Sequence, residues 1–450
     1  MLDLIVRHCT LVTPSGQSRT DLGIAGGRIA ALGTDLVGAT ETLDAIGLLV
    51  LPGLVDIHVH FREPGHVYKE DFASGTRAAA VGGVTTVLDM PNNAVPISTG
   101  ELFRVKRALV EPKALVDFGL YGIILQENAG ELARMAGEGA IGFKLYMGET
   151  TGHNPCPDDG AIFNAFRIAA GLNMFVGIHA ENNPVMQLLK SELRETGRTD
   201  PRAHLESRPP FIEAEAISRA AYLAEAAGNR LHVHHLSTRQ GLEAALAARS
   251  RDVPLTVEAL VGHLLLDDSA YETLGNLVEV NPPIREREHA EALWQALAKG
   301  QLDCLATDHA PHAAEEKARE NVWECPGGFI GVETMLPLLL SQVSAGRLSL
   351  ERLVALTSEQ PARLMNLYPR KGALMIGSDA DFVLVDPAER WTLQASSLHS
   401  KHPISPFNGW EIVGRPVATY LRGRPVAQNG QPVGEPGGRF LTPQYGGTPL

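Results

Sequence analysis

The chain has 450 residues, 44% of them hydrophobic and 20% charged, and a formal net charge of -13 with its 16 histidines neutral. That length accommodates two or three units with a sizeable core. The acidic balance excludes nucleic acid and anionic membrane as partners, because basic patches are what those surfaces require. An anionic substrate must therefore find a local positive site.

The N-terminal MLDLIVRHCTLV carries Asp3 and no long apolar core, so no signal peptide is expected, and no apolar run reaches the ~20 residues of a membrane span. Cys9, Cys156, Cys304 and Cys325 lie far apart without CxxC spacing, which argues against a zinc ribbon or disulfide framework and for a reducing cytoplasm. Leu4 to Val12 is apolar and β-branched, and Gly26-Gly27 marks a hairpin between LGIA and RIAALG. Towards the other end GALMIGSDADFVLVD, WTL and ATYLRGRPVAQNG again read as strands and turns. The expectation is a small β-sandwich domain formed from both chain ends, residues 1–52 and 370–450 with the C-terminal tail, around an α/β domain at 53–369.

Within that middle segment the strand-like runs are GLVDIHV (53–59), VTTVLDM (84–90), VDFGLYGII (116–124), AIGFKLYM (140–147), MFVGIHA (174–180), RLHVHHL (230–236), PLTVEAL (254–260) and LDCLATD (302–308). Helical segments such as EAEAISRAAYLAEAAG and HAEALWQALAKG separate most of them. Alternation of this kind predicts a (β/α)8 TIM barrel, with a doubly wound open sheet as the alternative. Strands this apolar suit a parallel sheet buried on both faces.

Polar residues recur at the C-terminal ends of these strands, the catalytic face of such a barrel. Strand one ends in His58-Val59-His60, and alternation turns both imidazoles, favoured zinc ligands, to one side. Lys144 stands between apolar neighbours on strand four, where an unpaired ammonium is costly. Strand five ends in Ile178-His179-Ala180-Glu181-Asn182, strand six in His232-Val233-His234-His235, and strand eight in Thr307-Asp308-His309. Singly, each could be an ordinary buried histidine or ion pair. Together they place several imidazoles, one lysine and one aspartate at one rim.

The order HxH, Lys, His, His, Asp on strands one, four, five, six and eight resembles the binuclear amidohydrolase superfamily over nearly the whole chain. Within it, HVHFREPG (58–65), MPNN (90–93), NPPIRE (281–286), ATDHAPH (306–312) and GVETMLPLLL (331–340) resemble dihydroorotase. The resemblance implies two divalent metal ions, zinc the expected one. His58 and His60 would bind the more buried metal, His179 and His235 the second, and Asp308 the first. Lys144 would bridge them as a carbamate formed with CO2, which also removes its buried ammonium. His232 and His234 would be supporting residues. The implied reaction is reversible opening of dihydroorotate to N-carbamoyl-aspartate in pyrimidine biosynthesis, by a metal-bridging hydroxide with Asp308 as general acid and base. Arg62, Asn92 and His312 match the positions that hold the substrate carboxylate, the Gly331 amide a backbone contact, and Thr150 the threonine of a covering loop at 148–153. The implied ligand is thus an anionic cyclic amide.

Some features depart from that pattern. Val261-Gly262-His263-Leu264 replaces Pro-His-His-Leu, Ile330-Gly331 replaces Pro-Gly, and SRPPFIEAEAI (207–217) resembles allantoinase equally well. An allantoinase or hydantoinase is therefore the enzymatic alternative. A non-catalytic dihydroorotase-like partner of aspartate transcarbamoylase is the distant one, disfavoured because every expected metal ligand is present. A homodimer is the base-rate expectation for assembly.

Overall fold

The apolar runs of the middle segment form parallel strands buried on both faces. In the computed structural model, which describes residues 1–152 and 154–444, they are Leu54–Val59, Val84–Asp89, a third strand in two pieces (Asp117–Leu120 and Gly122–Ile123), Phe143–Tyr146, Phe175–His179, Arg230–Val233, Leu255–Leu260 and Cys304–Ala306. Each pairs in parallel with its sequence neighbour. The third strand kinks at Tyr121, so its first piece pairs with strand two and its second with strand four. The ring closes between strands one and eight, where the His60 amide donates to the His309 carbonyl at 2.8 Å. The (β/α)8 barrel expected from the alternation is the observed fold.

Local chemistry sets the helices between the strands. Arg239–Arg249 begins at Thr238, whose hydroxyl accepts the Gly241 amide at 2.9 Å. Pro210–Ala227 opens with proline and stops at Gly228, left-handed at φ 69°. Their alanine-rich inner faces (Ala216, Ala220, Ala224, Ala245, Ala248) let the helices lie close on the strands. Burying each Val, Leu or Ile of the strands contributes about 1.5–3 kcal/mol.

The two chain ends form one hydrogen-bonded sheet of nine strands. Its order is Gln431–Pro432, Arg424–Gln428, Glu411–Leu421, Phe382–Thr392, Leu49–Pro52, Leu2–Thr13, Gly16–Ala25 and Arg28–Gly33, with Ala39–Asp44 also on Leu2–Thr13. The expected hairpin is there: Ala25 faces Arg28 across Gly26 and Gly27, both left-handed at φ 59° and 77°. Lys371 fastens this sheet to the barrel. Its buried Nζ meets Asp381 at 2.6 Å, Asp379 at 3.0 Å and Asp117 of strand three. Among the described residues no helix is long and apolar enough to cross a membrane.

Candidate metal centre

Side chains two apart at the end of a strand enter the barrel mouth together. His58 and His60 do so from strand one, Lys144 and Tyr146 from strand four, and His179 and Glu181 from strand five; His235 follows strand six and Asp308 strand eight. All eight are buried. His58, His60, Lys144, His179, His235 and Asp308 line a single cage. The sequence-predicted ligand positions therefore converge on one point.

The imidazoles are aimed. His58 Nδ1 is bonded to Glu258, His60 Nδ1 meets Asn92 Oδ1 at 2.7 Å, and His179 Nε2 meets Glu181 Oε2 at 2.8 Å. Each outer nitrogen thus faces an oxygen acceptor, which fixes the proton there and turns the lone pair of the other nitrogen inward. Inward, His60 Nε2 lies 2.9 Å and His58 Nε2 3.4 Å from Asp308 Oδ1, while His179 Nδ1 lies 3.0 Å from His235 Nε2. Lone pairs converging at these distances repel unless a cation lies among them. His58, His235 and Asp308 bring their ligand atoms within 4.8 Å of one another.

Electrostatics agree with this reading. Burial drives His60 down to about 3, against the pull of Asp308, and holds His179 and His235 below the usual imidazole value. All three stay unprotonated and able to ligate at neutral pH. Burial alone would raise Asp308, but His58, His60 and Lys144 bring it to about 2. Burial lowers Lys144 to about 7, with Glu258 and Asp308 opposing. Its Nζ is fully buried without a hydrogen-bond partner, so the folded chain presents an amine poised to be neutral and nucleophilic. Backbone strain gathers here too: Arg62, His235 and Asp308 have φ of 60°, 40° and 47°. Such outliers persist where surrounding structure over-determines them, often at functional sites.

Beneath the cage, Glu258 of strand seven reaches His58 and His232 and accepts the His235 amide at 3.1 Å. His234 Nδ1 lies 3.1 Å from Glu258 and its ring occupies the space above Gly177, where a Cβ would come within 2.0 Å of Nε2. His232 and His234 thus both contact Glu258 behind the cage. Glu258 itself was missed, although it is the one acid in the apolar run PLTVEAL. Glu181, tied to His179 and Arg208, and Tyr146, with a buried unpartnered hydroxyl, were also missed. Both lie two residues from an identified position, the same signal that marked His58 and His60.

Outside the cage a chamber of about 370 Å3 opens, lined on the barrel side by Arg62, Asn92 and Thr150. Thr150 Oγ1 accepts Asn281 Nδ2 at 3.2 Å and Thr151 Oγ1 donates to the Gly327 carbonyl at 2.9 Å, so the loop after strand four reaches across the mouth. His153, at the end of that loop, lies outside the described residues. His312 stands behind Arg62, with Nε2 3.1 Å from Arg62 Nη2 and Nδ1 3.0 Å from Lys69 Nζ. Asn92 spends its carbonyl on His60. The Gly331 amide donates to His309 Nδ1 at 3.1 Å, and the wall of the cage there is formed by Gly327 and Gly328.

Polar and charged side chains predominate among the residues lining the rest of the chamber. Glu149, Lys190, His204, Arg208, Glu279, Asn281, Arg319 and Glu324 line it; among the described residues its hydrocarbon surface comes from Val322, Trp323 and Pro326. Glu279 is buried with Oε2 unpartnered, and burial, opposed by Lys317, raises it to about 7.

Residues 49–426 match the model of the amidohydrolase family. An allantoinase of Rubrobacter xylanophilus is 43% identical over 446 residues, 98% of each chain. An L-hydantoinase of Paenarthrobacter aurescens is 37% identical over 450 residues, again 98% of each. The solved structure of an L-hydantoinase from Arthrobacter aurescens superposes with a TM-score of 0.96 at 37% identity, covering 98% of this chain and 100% of that one. These relatives overturn the dihydroorotase reading of the sequence and with it the place in pyrimidine synthesis. The alternative, an allantoinase or hydantoinase, is what they favour.

Proposed function

The chain belongs to the amidohydrolase family, and from that premise we propose that it hydrolyses a ring amide of allantoin, a hydantoin bearing a ureido substituent, to the open-chain carboxylate. The observation that carries the choice is the polarity of the outer chamber. A ring amide placed at the cage directs its substituent outward. A ureido group finds acceptors in Glu279 and Asn281 and donors in Arg62 and Arg208, whereas an alkyl or aryl substituent would strip those groups of water without replacing their hydrogen bonds.

His58, His60, His179, His235, Asp308 and Lys144 as its carbamate form a set that fits two divalent cations, zinc best by donor type. When bound, such ions supply Lewis acidity and lower the pKa of water from about 15.7 towards about 7. Asp308, ionised at neutral pH, accepts the proton of the attacking water and delivers it to the departing ring nitrogen. Tyr146, whose hydroxyl is buried and unpartnered, donates to the carbonyl oxygen as negative charge gathers on it. Arg62 holds the carbonyl groups of the substrate and the carboxylate of the product, a role for its planar fork of donors.

Steady-state assays with allantoin and 5-benzylhydantoin test this directly. Allantoin should have the higher kcat/KM by about ten-fold or more, the cost of leaving the chamber's polar groups unpaired. Preference for the benzyl compound would replace the proposal with an arylhydantoinase. Arg62→Ala should lower kcat/KM on allantoin about 10- to 150-fold through loss of a charge-assisted hydrogen bond; parental kinetics would remove Arg62 from the site. Glu258→Gln should weaken metal retention about 10- to 100-fold in competition with a chelator, because it frees His58 to turn. Unchanged metal affinity would show that Glu258 does not orient the ligand.

A further inference from the structure

The segment Glu279-Val280-Asn281 carries the wall of the cage into the outer chamber. Val280 and Asn281 line the cage, and Glu279 and Asn281 line the chamber. Its backbone is pinned: the Glu279 carbonyl accepts the Gly328 amide at 2.8 Å and Lys317 Nζ at 3.0 Å, and the Val280 carbonyl accepts His204 Nε2 at 3.1 Å. A substituent on a ring seated at the cage therefore meets Glu279 next. What this wall lacks is a donor. Glu279 is 4% exposed and its Oε2 has no hydrogen-bond partner. Asn281 spends Nδ2 on Thr150 and keeps Oδ1 buried and unpartnered. His204 Nδ1 lies 3.7 Å from Glu279 Oε1, but the proton of that ring is on Nε2, given to Val280, and burial holds the ring neutral, at about 3. Cys325, beside the carboxyl, turns its thiol to the Asn276 carbonyl at 3.7 Å. The neighbouring cations are engaged elsewhere: Lys317 on the Glu279 and Pro326 carbonyls, Arg208 on Glu181 and the Glu149 carbonyl, and Lys190 on Glu149. Three acceptors thus line one wall, and a buried carboxylate oxygen without a donor costs stability until a ligand brings one.

Resting on the ring opening proposed above, we propose that Glu279 is the specificity-determining residue of the chamber and selects hydantoins whose side chain ends in an NH2 donor, primary carboxamides as well as ureas, over those ending in a carboxylate. The substrate class is thereby wider than allantoin. A planar NH2 group carries two protons and can serve Glu279 together with Asn281 or His204. A carboxylate brings acceptors to acceptors and like charge to like charge.

Steady-state assays of the full-length, zinc-loaded protein with hydantoin, hydantoin-5-acetamide and hydantoin-5-acetate test it. They are run at about pH 8.5, where Glu279, raised by burial to about 7, is ionised. The acetamide should be opened with a kcat/KM about 10- to 150-fold above that of the acetate. Glu279→Gln, which puts a donor where the carboxylate stood, should shrink that ratio about ten-fold or more, by loss on the acetamide and gain on the acetate. Damage to the fold would instead lower all three substrates together, and the parent comparison decides the substrate class without any variant. Opening of hydantoin with acetamide and acetate treated alike, or with the acetate preferred, overturns the proposal and leaves ring opening itself intact. A ratio in Glu279→Gln equal to the parent's removes Glu279 as the selector. A parent inactive on both hydantoin and allantoin overturns ring opening and this proposal together.

Discussion

Asp308→Asn should lower kcat for ring opening by about 10²- to 10⁴-fold, the usual share of a positioned acid–base group, or more where the metal is disturbed as well. The substitution is nearly isosteric, but an amide neither accepts the proton of the attacking water nor hands one to the leaving nitrogen. It also removes a negative charge that lies 2.9 Å from His60 Nε2 and 3.4 Å from His58 Nε2. Metal content and kcat measured on the same preparation separate the two effects. Retained metal with a collapsed kcat assigns the proton transfer to Asp308. Retained metal with kcat within a few-fold of the parent would show that another group carries the proton.

Lys144→Met should abolish turnover by at least about 10³-fold and cut metal content below that of the parent, while raising the melting temperature of the metal-free protein. The activity loss follows from removing the residue proposed to bridge the two halves of the histidine cage. The gain in stability has a separate cause. Nζ is buried without a partner, and an unsatisfied buried polar group costs about 1–3 kcal/mol that a thioether does not. The sign of the pH dependence follows as well. Folding lowers Lys144 to about 7 from 10.5, so the folded chain binds fewer protons than the unfolded one between those values. Metal-free parent protein should gain stability from this group as pH rises from about 7 to about 10.5, and the methionine variant should lack that gain. A variant that turns over normally, or a metal-free melting temperature lower than the parent's, would contradict the account of this residue.

Much of the centre was legible because strand periodicity projects it. His58 and His60 share a face by spacing alone, and the rule extends to Lys144 with Tyr146 and His179 with Glu181, where it was not followed through. Glu258 was harder to read, since its role appears only once strand seven is set beside strands one and six. The substrate was misread for a spatial reason. HVHFREPG and MPNN build the cage and its nearest wall, which serve the shared chemistry of ring-amide hydrolysis. Under the proposed function the substituent would be met by residues scattered over 204–208, 279–281 and 319–327, which line the outer chamber. The signal that pointed the right way was SRPPFIEAEAI, which contains Ser207 and Arg208 of that chamber. Arg62, read as the mark of an anionic substrate, would under the proposed function serve a neutral ureide whose product is the anion.

Loaded with two cations, this cage should open allantoin. The most direct test is a zinc titration of chelator-stripped protein in bicarbonate buffer, with allantoin hydrolysis followed at each addition. Activity that rises to a break at two equivalents of zinc per chain is the expected result. Protein that binds two equivalents and leaves allantoin intact would contradict the account.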